Sequence, residues 1–119
     1  MTLLQLKTIE DKALKAPEEL KRGFTLSMLK EAFFNHMTGK SENTLKEYHR
    51  SVDRLHVFME THALKNIHDI QGSHLRLYQD YYHGKGYSDV TIHYDFKTLS
   101  RFCKILSSLG FLDINPFVR

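Results

Sequence analysis

The chain has 119 residues, 41% of them hydrophobic, with 17 Lys and Arg against 14 Asp and Glu. That is one domain's worth of chain with a sound core, and its apolar content excludes wholesale disorder. No run of about 18 apolar residues exists to cross a membrane, and the opening MTLLQLKTIEDK is too charged for a signal peptide. A net charge of +3 is mild, so the placement of the cations decides more than their sum. The single cysteine excludes an internal disulfide framework and suits a reducing cytoplasm.

Residues 1–23 carry mixed signals. Leu3, Leu6, Ile9 and Ala13 recur at helical spacing, yet LQLKTI also suits a short strand. Ala16-Pro17-Glu18-Glu19-Leu20 resembles a helix start with Pro in its first turn. The segment reads as an extension ahead of a domain over residues 24–117. Thr25 or Ser27 can cap a first helix in which Leu26, Leu29, Phe33 and Met37 share a face, and Gly39 ends it. Ser41 then caps a second helix with Glu42 in its first turn. Leu45, Tyr48, Val52, Leu55 and Met59 form its apolar stripe, while Lys46, Arg50 and Arg54 form a separate cationic one, with Glu47 and Asp53 near its flank.

The connector ALKNIHDIQGS offers Ile67 and Ile70 as plugs for the core. A third helix over 72–83 presents Leu75, Leu77, Tyr78, Tyr81 and Tyr82 as a broad, largely aromatic side, broken at Gly84-Lys85-Gly86. The last helix starts at Ser88, with Asp89 on the positive end of its dipole, and stops at Gly110, where Asn115-Pro116 bars a restart. Ile92, Phe96, Leu99, Cys103 and Leu106 line its inward face. His93, Lys97, Arg101 and Lys104 lie opposite, with no acidic residue among them. No internal repeat and no persistent period-two alternation is present, so the fold class is all-α, with four principal helices.

Chemistry-bearing constellations are few. His56, His62, His68 and His74 are spaced six apart, which turns successive rings to different helix faces. No pair has HExxH spacing, so no metal site and no cofactor is expected. Cys103 reads as a small core residue, and the tyrosines at helical spacing read as core. No Gly-rich phosphate loop or Ser/His/Asp set appears.

The order SENTLKEYHRSVDRLHVFM, NIHDIQGSHLRLYQDYY, KGYSDVTIHYDFKTLSRFCKIL and GFLDINPF resembles the N-terminal SAM-like core-binding domain of tyrosine recombinases, the phage integrase family. Ser41, Thr44 and Tyr48 match its second-helix start, Ile67 and Ile70 its connecting turn, and Gly86, Ser88, Thr91 and Ile92 its last-helix start. Gly110, Asn115 and Pro116 match the handover to the catalytic domain. Gln71 departs from the pattern, where the family often has Thr as a cap.

The resemblance implies a four-helix SAM-like orthogonal bundle with a short N-terminal extension. It also implies a function, as the DNA-binding domain of a site-specific recombinase or integrase. Its second and fourth helices would lie across the major groove of double-stranded DNA, with Lys46, Arg50, Arg54, His93, Lys97 and Arg101 facing the duplex and Lys40, Lys85 and Lys104 at the edges. The catalytic domain, with its tyrosine nucleophile, is expected elsewhere, so this chain is expected not to be an enzyme by itself. The parent would be a tetramer on DNA during synapsis and the isolated domain a monomer or weak dimer, with Phe34 on the first helix exposed for such a contact. A cytoplasmic, nucleoid-associated location follows from the same likeness. The rival expectation is a helical protein–protein interaction module whose basic faces meet an acidic protein partner.

Overall fold

The computed structural model describes residues 23–117. The helix, strand and Pro-led readings of residues 1–22 fall outside that range. Four helices follow in order: α1 (Leu26–His36), α2 (Glu42–Thr61), α3 (Gly72–Gly84) and α4 (Asp89–Ser108), with a 3-10 turn at Ile67–Asp69 between α2 and α3. Among the described residues there is no strand, and the fold is the all-α bundle expected.

Each helix start has a local cause. Thr25, not Ser27, caps α1, its Oγ1 accepting from the Met28 N–H at 3.2 Å. α2 and α4 begin alike. Ser41 Oγ accepts from the Thr44 N–H at 3.2 Å, and Ser88 Oγ accepts from the Thr91 N–H at 3.3 Å. Each cap satisfies a backbone donor that the helix cannot, worth roughly 1 kcal/mol. At the start of α3, Gln71 offers no capping hydroxyl, and a side chain of the first turn reaches back to it instead. The His74 Nδ1 accepts from the Gln71 N–H at 2.9 Å.

The helix ends are equally specific. At Gly86 and Gly110, with φ of 94° and 89°, the chain turns left-handed. Tyr87 N–H then reaches the Tyr82 carbonyl at 3.0 Å, and Phe111 N–H the Leu106 carbonyl at 2.9 Å, closing the terminal carbonyls of α3 and α4. α2 ends the same way without a glycine. Ala63 adopts φ 56°, and Leu64 N–H bonds the Met59 carbonyl at 2.8 Å.

The core collects the stripes anticipated from periodicity and widens them. Leu29, Phe33, Val52, Leu55, Ile67, Leu99, Cys103 and Leu106 are fully buried, joined by Phe58 and Phe102. Phe33 of α1 lies at its centre, with ring centroids 4.9 Å from Tyr48 and 4.7 Å from Phe102. Full burial of such side chains contributes roughly 1.5–3 kcal/mol apiece. Two side chains depart from expectation. Leu77 points outward and is 44% exposed, because Tyr78 and Tyr82 already fill the inward side of α3. Phe34 is half-buried rather than free, since its ring stacks on His49 with centroids 3.7 Å apart and planes 5° apart.

Two features position the surface considered next. α2 and α4 pack with opposed courses: Thr44 of α2 shares a depression with Thr98 and Arg101 of α4, whereas Arg50 and Arg54 share one with Val90 and Thr91. Beyond Gly110 the chain folds back over α4. Asn115 Nδ2 donates to the Ser100 carbonyl at 2.9 Å and Phe117 packs near Phe96.

Candidate nucleic-acid interface

The seam between α2 and α4 holds both charge and polarity, and its buried side explains its exposed one. Asp95 sits within the inward stripe of α4 and is 1% exposed. Its carboxylate accepts from Ser51 Oγ at 2.8 Å, Tyr78 Oη at 2.7 Å, Arg54 Nε at 2.6 Å and Arg54 Nη2. Three helices are thereby joined at one ion. The Asp95 carboxylate, through its hydrogen bonds, holds the Arg54 guanidinium above its already high ordinary value. Burial, reinforced by the Asp95 charge, raises the Tyr78 phenol.

Arg54 borders the seam together with Arg50, but its charge is not free. Its side chain is only 18% exposed and its charge is engaged by Asp95. The carbonyl of Arg54 is also fixed, accepting from the Tyr82 hydroxyl. Lys85, expected at the edge of the surface, carries its ammonium 4.9 Å from the centre of the Tyr81 ring.

The expected residues of α4 gather. His93, Lys97, Arg101 and Lys104 border a shallow depression on α4, with Ser100, Phe96 and Phe117 completing its lining and no carboxylate among them. Across α4, Arg101 also borders a second depression shared with α2, which Lys40, Thr44, Glu47 and Tyr94 help to line. A third continues along the same seam, where Glu47, Arg50 and Arg54 of α2 face Val90, Thr91 and Tyr94 of α4. Arg50 and Arg101 therefore stand on one side of the molecule, in adjoining depressions that share Glu47 and Tyr94. Lys46 projects from α2 and is 59% exposed, with a loose 3.6 Å pair to Glu42. Asp53, an acid on the same helix, turns instead to α1 and pairs with Lys30 at 2.7 Å.

The polar centre of the seam is a pair that periodicity alone did not single out. Tyr94 Oη donates to Glu47 Oε2 at 2.6 Å. That bond to the carboxylate is the main reason the Tyr94 hydroxyl is raised above its ordinary value. Beside it, Val90 is 79% exposed. Among the described residues no cluster of His, Cys, Asp or Glu is arranged to hold a metal ion, and no helix is long and apolar enough to cross a membrane.

A family model described as the phage integrase N-terminal SAM-like domain matches residues 31–113, from within α1 to just past α4. The chain belongs to that family. Neither the curated proteins nor the solved structures compared with it give a match. Membership in the phage integrase SAM-like family supports a DNA-binding role related to tyrosine recombinases. The stretch matched contains the whole α2–α4 seam, so the family assignment and the cationic surface concern the same elements.

Proposed function

We propose that this SAM-like domain grips one side of a recombination half-site through the α2–α4 seam, so that the catalytic domain of a tyrosine recombinase can attack the phosphodiester. Lys40, Lys46, Arg50, Lys97, Arg101 and Lys104 neutralise phosphates, and His93 faces the duplex beside them. Arg54 serves the same surface from behind, by fixing α2 to α4. The observation that carries the reading is the convergence of Arg50 and Arg101, from separate helices, onto one face of the bundle. Phosphate contacts of this kind position a protein on the duplex and release counterions as they form.

The test is a fluorescence-anisotropy titration of the 119-residue chain with duplex DNA across a salt series. If four to six phosphates are neutralised, log affinity falls against log salt with a slope of roughly −4 to −5. Lys97→Ala together with Arg101→Ala lowers affinity and flattens that slope by about two. Binding that ignores salt, or ignores this double substitution, would count against the proposal. A stoichiometric acidic protein partner without DNA affinity would replace it with the interaction-module reading.

A further inference from the structure

The proposed DNA surface contains one residue that works against phosphate binding. Glu47 lies in the middle of the seam, between the depression bordered by Lys40 and Arg101 and the one bordered by Arg50. A carboxylate there is repelled by every phosphate that the neighbouring cations attract, so it weakens sequence-independent binding. Holding the helices together does not require it. Asp95 already joins α2, α3 and α4 through buried bonds, whereas the Glu47–Tyr94 bond is exposed. On a duplex the groups that reward a carboxylate are the exocyclic amines at base edges, above all the N4 amine of cytosine in the major groove.

From this we infer that Glu47 is the sequence-reading residue of the surface, accepting a hydrogen bond from a cytosine N4 amine; the inference rests on the DNA-binding reading above. Three observations prepare it for that task. Tyr94 engages Oε2 at 2.6 Å, which restrains the side chain, and Glu47 is exposed on the surface. Arg50, one turn along α2, borders the same depression and supplies the nearby phosphate contact that sets register. Val90 stands 79% exposed at the same spot, an apolar contact of the kind that accepts a thymine methyl.

The experiment is selection from a randomised duplex library by the 119-residue chain, with sequencing of the bound fraction. The wild type, Glu47→Gln and Glu47→Ala are compared, each first checked for native melting. Glu47→Gln keeps an oxygen for Tyr94, so the helix contact survives while the charge is lost. The wild type should enrich cytosine at one position by about fivefold or more. Glu47→Gln should shift that position towards adenine, whose N6 and N7 suit an amide, and Glu47→Ala should flatten it while raising affinity for unselected duplex.

An enrichment that survives Glu47→Ala overturns the inference. So does a wild type that binds all duplexes equally but with strong salt dependence, a result that leaves the DNA-binding reading standing. Failure of the wild type to bind any duplex removes both. A purely structural Glu47 would change melting without moving base preference.

Discussion

Replacing Asp95 by Asn tests the buried junction at its centre. The substitution keeps shape and removes one charge. Asp95 is 1% exposed and receives donors from Ser51, Tyr78 and two nitrogens of Arg54. An amide offers one acceptor oxygen to four donors, and its own NH2 is turned towards groups that also donate. The Arg54 cation, 18% exposed, is left without its counter-charge. Breaking a buried pair in this way costs about 3–5 kcal/mol, and partial escape of Arg54 to solvent brings the expectation to about 2–4 kcal/mol. For a domain of this size that corresponds to a fall in Tm on the order of 10–25 °C. Urea titration followed by far-UV circular dichroism measures it. A double-mutant cycle with Arg54→Met should return a coupling of about 2 kcal/mol, because the lone arginine is what makes the single change severe. A loss below about 0.5 kcal/mol, or additive effects, would refute the argument that one ion joins the three helices.

Arg50 and Arg54, four residues apart on α2, should behave oppositely. Arg50→Ala should leave melting within about 0.5 kcal/mol of wild type and reduce the salt slope for duplex binding by about one. Arg54→Ala should cost about 2–4 kcal/mol and leave the slope of the folded fraction unchanged; matching profiles for the two would contradict the placement of Arg54. Cys103 provides a report on opening of the core. It is fully buried, and burial raises its thiol above the ordinary value, so at pH 8 a thiol reagent should label it far more slowly than a free thiol and accelerate with urea. Rapid labelling of the native protein would show that the α4 core is open.

The architecture was largely legible because its signals are local. Ser41, Ser88, Gly86 and Gly110 mark helix ends by chemistry that acts within a few residues, and the 3.6-residue stripes of α2 and α4 name the core directly. The left-handed turn at Ala63 was not legible, since alanine carries no preference for it and tertiary packing imposes it. The site was legible in its charges and not in their partners. Spacing placed Arg54 in line with Lys46 and Arg50, but each four-residue step overshoots a full helical turn by about 40°, so the stripe has rotated by about 80° at Arg54. At its third member the stripe has turned far enough for Arg54 to reach the buried Asp95. A signal for this was present. Asp95 falls between Ile92 and Phe96 in an otherwise apolar stripe, and an acid there requires a buried cation and hydroxyls, which Arg54, Ser51 and Tyr78 supply. The Glu47–Tyr94 pair joins residues 47 positions apart, and only the packing of α4 on α2 brings it about.

The opposed course of α2 and α4 has a consequence for any rod-like polyanion laid on them. Two helices of 20 residues with opposed courses partly offset each other's axial dipoles, so this pair supplies little net pull towards either end. A duplex turned end for end would feel nearly the same peptide field from them. Which way round it settles is then left chiefly to side chains, with Lys40 towards one extremity, Arg50 towards the other, and a tyrosine-held carboxylate between them as the mark that distinguishes the two orientations.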